Sequence, residues 1–176
     1  MMAPYELGTS RLQLRRPRLD DAAAMLDYAS DVEVTRFLTF PPATDISFVV
    51  EFLERCEQVW LDGSAFPWAI TLHDHDELLG TVEARPTIHG VELGYVLRRC
   101  AWGKGYMTEA VTAVTDWALA QETGYRVWAY VATANTASQR VLEKAGMIRE
   151  GTLHRWAQNP NMSNEPSDSY MYARWR

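Results

Sequence analysis

Cysteine is nearly absent from this chain: Cys56 and Cys100 stand alone, without the spacing of a zinc or redox motif. A disulfide framework is thereby excluded, and reduced thiols in a cytoplasm are the expectation. No apolar run approaches bilayer-spanning length, and Met1 to Leu14 offers neither a continuous apolar segment nor a small-residue cleavage site. A soluble, cytoplasmic protein with no membrane partner is expected. Positive charge is in deficit, 17 Lys and Arg against 23 Asp and Glu, for a formal net charge of −6. That balance argues against a nucleic-acid partner and is compatible with a cationic acceptor such as an amine. Metal-ligand spacing is lacking too, because His73 and His75 flank Asp74 in a polar turn, and no metal is expected. Repeats and low-complexity tracts are missing, and 176 residues at 47% hydrophobic suffice for one domain, residues 1–176, with its own core.

What is present reads as alternating strands and amphipathic helices. Leu12 and Leu14 alternate with polar residues over Ser10 to Arg16, a first strand ended by Pro17. Asp20 and Asp21 open a helix over Ala22 to Tyr28, and Asp31 to Phe40 is an aromatic-bearing connection closed by Pro41 and Pro42. Ile46, Val49, Val50, Leu53 and Trp60 recur at helical spacing before Asp62-Gly63-Ser64 breaks the pattern. Phe66 to Leu72, Leu78 to Ala84 and Val91 to Leu97 then form an antiparallel meander, with turns at His73 to Glu77 and Pro86 to Gly90. A helix from Gly105 ends at Thr123-Gly124, its apolar stripe explained by packing. Arg126 to Ala132 is a strand, Asn135 to Lys144 a helix capped by Gly146, and Met147 to His154 another strand. Arg155 to Pro166 is a loop before a last strand, Ser167 to Trp175.

The most chemically suggestive stretch joins the Val91 to Leu97 strand to the helix from Gly105. Gly103 and Gly105 let the backbone approach an anion without Cβ interference, and the first N–H groups of the helix lack intrahelical partners at its positive end. Lys104 adds a mobile positive charge. The spacing excludes two familiar phosphate binders: the Walker pattern needs four residues between its glycines, and the dinucleotide fingerprint needs a third glycine where Thr108 stands. With no magnesium carboxylate pair either, a nucleotide-phosphate transferase is the weaker alternative.

Thirty residues after Gly105 begins Asn135-Thr136-Ala137-Ser138-Gln139-Arg140-Val141-Leu142-Glu143-Lys144-Ala145-Gly146-Met147. Together with Trp102-Gly103-Lys104-Gly105-Tyr106-Met107-Thr108-Glu109-Ala110, it strongly resembles the GCN5-related N-acetyltransferase (GNAT) superfamily, in its ribosomal-protein-alanine (RimJ/RimL-like) branch. Ser10 to Arg15, Arg155-Trp156, Pro160-Asn161 with Ser163, and Asp168-Ser169 with Tyr172 look like that branch as well. One departure is Cys100, where the family's cradle pattern usually begins with Gln or Arg, with Arg99 one position earlier. The resemblance implies an α+β GNAT fold of about seven strands, mostly antiparallel with a splayed central pair, and about four helices. It also implies acetyl-coenzyme A as cosubstrate, with a homodimer as a family-level expectation. The pyrophosphate would lie on the amides of Trp102, Gly103, Lys104, Gly105 and Tyr106, with Lys104 or Arg99 screening charge. The pantetheine arm would run between the Val91 to Leu97 and Arg126 to Ala132 strands, along Tyr95, Val96 and Leu97, with Asn135 and Ser138 as further contacts.

Amine attack on a thioester needs no enzyme nucleophile, so the lack of a Ser-His-Asp or Cys-His arrangement is no obstacle. Three tasks remain: removing a proton from the acceptor ammonium, stabilising an oxyanion, and releasing the thiolate. Glu92 is the candidate base, on one strand face with Gly94 and Val96, and Glu83 and Glu165 are rival carboxylates. A backbone N–H at Val96 or a neighbour is the candidate oxyanion donor. Ser138 resembles the branch's hydroxyl near the sulfur but also suits a local cap, and Asn135 suits a helix cap, a pantetheine contact, or both. The resemblance puts the acceptor between Thr35-Arg36-Phe37-Leu38 and Arg155 to Asn164. There Arg36 and Arg155 would receive a carboxylate or carbonyl, and Phe37 and Trp156 would shape an apolar wall. The expected function is acetyl transfer to a primary amine, of a protein N-terminus or a small molecule. The alternative is a catalytically silent acyl-coenzyme A binding or sensing module.

Overall fold

The alternating and helical patterns fold, in the computed structural model describing residues 2–176, into thirteen regular elements. They are β1 (Glu6–Gly8), β2 (Leu12–Arg15), α1 (Ala22–Ala29), α2 (Val32–Thr35), α3 (Ile46–Asp62), β3 (Phe66–Leu72), β4 (His75–Thr87), β5 (Gly90–Leu97), α4 (Tyr106–Ala120), β6 (Arg126–Ala132), α5 (Thr136–Lys144), β7 (Ile148–Ala157) and β8 (Ser167–Trp175). A single 8-stranded sheet runs in the order β1-β2-β3-β4-β5-β6-β8-β7. Every neighbouring pair is antiparallel except β5 with β6.

That exception positions the site. The parallel pairing consists of Val91 with Val127 and Glu92 with Trp128, after which β5 and β6 separate and leave Gly94 to Leu97 without a β6 partner. A parallel pair needs a crossover, and α4 supplies it. Met107, Ala110, Val111, Val114 and Ala118 of α4 pack with Leu142 of α5 onto one sheet face, beside Trp68, Leu93 and Val127. On the other face, Met25 and Tyr28 of α1 pack with Val49 and Leu53 of α3 against Ala69 and Leu78. The stripe Val49, Leu53, Cys56 and Trp60 is buried along α3, which Asp45 caps by accepting from the Ser47 N–H at 2.7 Å and Gly63 ends in the left-handed region.

The structure corrects the sequence reading in places. The sheet has eight strands rather than seven, because Glu6–Gly8 pairs with β2 at the edge. Five α-helices replace the expected four, because Asp31 caps a single turn, α2, inside the connection by accepting from the Glu33 N–H at 2.9 Å. Strand β4 spans His75–Thr87, so the preceding turn is tighter than expected. Strand β7 runs on to Ala157 past Arg155, whose φ of 49° marks an irregularity in its pairing with β8. Arg155 and Trp156 therefore belong to a strand, not to the loop.

Candidate active site

The turn between β5 and α4 has the geometry its glycines suggest. Gly103 and Gly105 sit at φ values of 74° and 79°, a region that L side chains enter only with strain. Arg99–Ala101 forms a short 3-10 turn before them, and the Trp102 indole donates to the Leu97 carbonyl at 2.7 Å. Gly105 is the N-cap of α4, whose backbone ladder starts with Glu109 N–H donating to the Gly105 carbonyl at 3.1 Å. The amides ahead of it therefore carry the unpartnered positive end of the helix. No atom lies within 4 Å of where a Cβ on Gly103 would stand, so this backbone is open to approach. Arg11 steadies the turn by donating to the Lys104 carbonyl at 2.9 Å and lying 4.8 Å from the Tyr106 ring centroid.

The cradle opens into a cavity of about 930 Å³ that passes through the β5–β6 gap to the face carrying α1 and α3. Arg98 N–H donates to the Leu79 carbonyl at 2.8 Å, and the register pairs Thr81 with Val96. Alternation in an antiparallel ladder then turns the Val96 N–H toward Thr81 and turns those of Leu93, Tyr95 and Leu97 toward β6. With the β6 ladder ending at Glu92, the Tyr95 and Leu97 amides face the gap.

Glu92 lines the cavity as part of a charged cluster. Arg85 donates to Glu92 Oε1 at 2.9 Å and to Glu83 Oε1 at 3.0 Å, crossing Gly94, where an added Cβ would lie 3.1 Å from the guanidinium. Burial opposes the Arg85 charge, yet the two carboxylates outweigh it and raise its pKa above the ordinary value. Two carboxylates to one guanidinium leave the cluster net negative. Arg85 was not anticipated, although its register opposite Glu92 follows from the hairpin at Pro86 to Gly90. Cys56 also lines the cavity, and burial, helped by Glu83, pushes its thiol up to about 12, so it stays neutral.

At the start of α5, Asn135 Oδ1 accepts from the Ser138 N–H at 3.1 Å, the capping geometry. Ser138 Oγ lies 2.7 Å from the Tyr95 hydroxyl. Burial raises the Tyr95 pKa, against a smaller opposing effect of that hydrogen bond, so the phenol remains protonated. The Tyr95 side chain was not anticipated as the partner of Ser138. Its shared strand face with Leu93 and Leu97, toward α4 and α5, is the signal that points to it.

The remaining candidates divide. Arg36 and Phe37 line the cavity, stacked at 5.3 Å from guanidinium to ring centroid. Arg155 instead pairs with Glu165 on an exposed segment, and neither lines the cavity. Trp156 packs edge-on against Tyr130 and lines a separate cavity of about 390 Å³. Arg99 is paired with Asp31 at 3.1 Å, and the Lys104 side chain is exposed. Asn159 and Asn161 were not singled out as site residues. The Asn159 amide donates to the Phe37 carbonyl at 2.9 Å, and that of Asn161 donates to the Thr35 and Phe40 carbonyls at 2.7 and 2.8 Å, clamping the connection after α1.

Comparison with known proteins places these features in context. Residues 11–148 match the model of the acetyltransferase (GNAT) domain. The uncharacterized N-acetyltransferase p20 of Bacillus licheniformis is 33% identical over 150 residues, 84% of each chain. A GNAT-family acetyltransferase from Bacillus anthracis is 26% identical with a TM-score of 0.85, covering 97% of this chain and 98% of that one. The ribosomal-protein alpha-N-acetyltransferase RimL, solved with coenzyme A, shares the fold at 18% identity and a TM-score of 0.83, with 99% and 98% covered. Among the described residues no helix is long and apolar enough to cross a membrane, and no cluster of metal-ligating side chains occurs.

Proposed function

The chain belongs to the GNAT acetyltransferase family and is an acetyl-coenzyme A-dependent acetyltransferase, and from that premise we propose direct transfer of the acetyl group to a primary amine in a ternary complex. The observation that carries this reading is the continuity of the glycine cradle, the β5–β6 gap and the Glu92 cluster in one cavity. The acceptor is the amine of a small molecule or of a protein N-terminus. A RimL structure with the same fold belongs to an enzyme of the latter kind, which supports keeping that arm.

Acetyl-coenzyme A supplies an activated acyl carbon and a thiolate leaving group. The unpartnered amides of the Gly103 to Tyr106 turn suit its pyrophosphate, and no side chain obstructs that approach at Gly103. The Tyr95 and Leu97 amides, rather than that of Val96, are the backbone donors suited to the acyl oxygen. Glu92 is the base: Oε1 is held by Arg85, while Oε2 carries no protein hydrogen bond among the described residues and is available to a substrate ammonium or an intervening water. Ser138, oriented by Asn135 and by the protonated Tyr95, is suited to deliver a proton to the departing sulfur. Burial keeps the Cys56 thiol neutral, and direct transfer makes no use of it.

The test is thiol release from acetyl-coenzyme A across a panel of amines, with Glu92→Gln alongside. Amine-dependent turnover that falls about 100-fold or more in the variant, with coenzyme affinity retained, supports the base assignment. Binding without turnover on any amine would favour the silent module, and near-normal turnover of Glu92→Gln at every pH would remove Glu92 from the mechanism.

A further inference from the structure

Beyond Glu92, the end of the cavity toward α1 and α3 carries four aromatic rings among charged side chains that include Arg36 and Arg55. Phe37, Phe40, Phe48 and Phe52 all line it, drawn from the connection after α1 and from the first turns of α3. Phe40 and Phe48 pack with centroids 5.6 Å apart. The guanidinium of Arg55 lies 5.2 Å from the Phe52 centroid, and that of Arg36 lies 5.3 Å from the Phe37 centroid, so each exposed cation stacks on a ring of the wall. The wall is also held in place. Asn159, itself buried, and Asn161 together accept no freedom from the connection: their amides bond the Thr35, Phe37 and Phe40 carbonyls. Asn159 is fixed in turn by the Ser167 hydroxyl, which donates to its Oδ1 at 2.8 Å.

Resting on the reading of the site as an amine acetyltransferase, we propose that the acceptor is a primary amine carrying an aryl or bulky branched apolar group close to its nitrogen. The ammonium is drawn to the net-negative Glu83–Arg85–Glu92 cluster, and the apolar group is buried against Phe37, Phe40, Phe48 and Phe52. A pre-formed apolar wall rewards burial without a large ordering cost, and it offers a hydroxyl buried against the rings no partner. The same chemistry is offered by a free arylalkylamine and by a peptide that begins with Phe or Leu, and the amine nitrogen is the acetylated atom in both. Asn161 acts as a positioning residue: it touches the wall's backbone, not the substrate.

The experiment compares kcat/KM for 2-phenylethylamine, ethanolamine, a Phe-initiated tetrapeptide and a Ser-initiated tetrapeptide. Burying one aryl group predicts a preference of about 10- to 100-fold for the apolar member of each pair. The pair that reacts faster identifies the source as free amine or peptide. Phe48→Ala, at an exposed ring, and Asn161→Ala should each shrink that ratio about 3-fold or more, Asn161→Ala mainly through KM. Phe48→Leu should restore most of it, which a merely unfolded variant would not. Equal turnover of apolar and polar amines would overturn this inference and leave the acetyltransferase reading standing. Coenzyme binding with no turnover of these four or of any amine in the wider panel would overturn both.

Discussion

At the scale of single residues, the site depends on two pairs brought together across the fold. Glu92 and Arg85 face each other across β4 and β5, and Tyr95 reaches Ser138 across the gap that opens past them. Hydroxyls in one hydrogen bond act as a unit, so Tyr95→Phe and Ser138→Ala are each expected to lower kcat by about 10-fold, and the double variant by little more than either alone. Additive losses in that cycle, measured by steady-state kinetics, would separate the two side chains. The glycine turn was legible in the sequence because its requirement is local: two residues at positive φ before a helix. The Tyr95–Ser138 contact and the Asn161 bond to Thr35 were not legible, since they join residues 43 and 126 positions apart and depend on the sheet order and loop path. Arg155 was misread for the opposite reason: its local loop-like composition concealed an irregular strand whose guanidinium finds Glu165.

At the scale of elements, the β5–turn–α4 unit and the start of α5 do different work. Gly103→Ala introduces no clash, so its expected cost is backbone strain of roughly 1–2 kcal/mol together with a bulkier surface facing the ligand. Isothermal titration should show weaker coenzyme A binding, with the loss exceeding any fall in melting temperature. Asn135→Ala removes the cap of α5 and is expected to destabilise the protein by about 1 kcal/mol, read by thermal melting. If coenzyme A affinity is unchanged in that variant, capping is the whole of the Asn135 role. Long, strongly periodic elements such as α3 and α4 were readable from their apolar spacing. The three-residue β1 and the one-turn α2 were not, because neither is long enough to display a period.

At the scale of the molecule, the two cores lie on opposite sheet faces, and the cavity connects them where the central strands part. Glu109, in the first turn of α4, fastens the cradle to the β1–β2 edge. Burial alone would raise its pKa, but hydrogen bonds from the Thr9 hydroxyl, the Arg11 amide and guanidinium and the Ser10 hydroxyl outweigh it and hold it at about 2. A depressed carboxylate contributes stability above its unfolded value and loses it as pH falls through its folded value. The Glu109 contribution should therefore be complete above its ordinary value of 4.5 and disappear on acidification toward about 2. Melting curves of the wild type and Glu109→Gln should differ by a constant amount above about pH 5 and converge below it. A difference independent of pH across that window would assign the clamp to packing instead.

The central claim is that this cavity joins a coenzyme cradle to an amine-activating carboxylate. It is tested most directly by following coenzyme A thiol release while identifying the acetylated product by mass, with 2-phenylethylamine as acceptor and Glu92→Gln as the paired variant. The expected result is amine-dependent release with one acetyl group on the amine nitrogen, reduced about 100-fold or more in Glu92→Gln while coenzyme binding persists. Thiol release that is independent of amine, or amine acetylation undiminished in the variant, would contradict it.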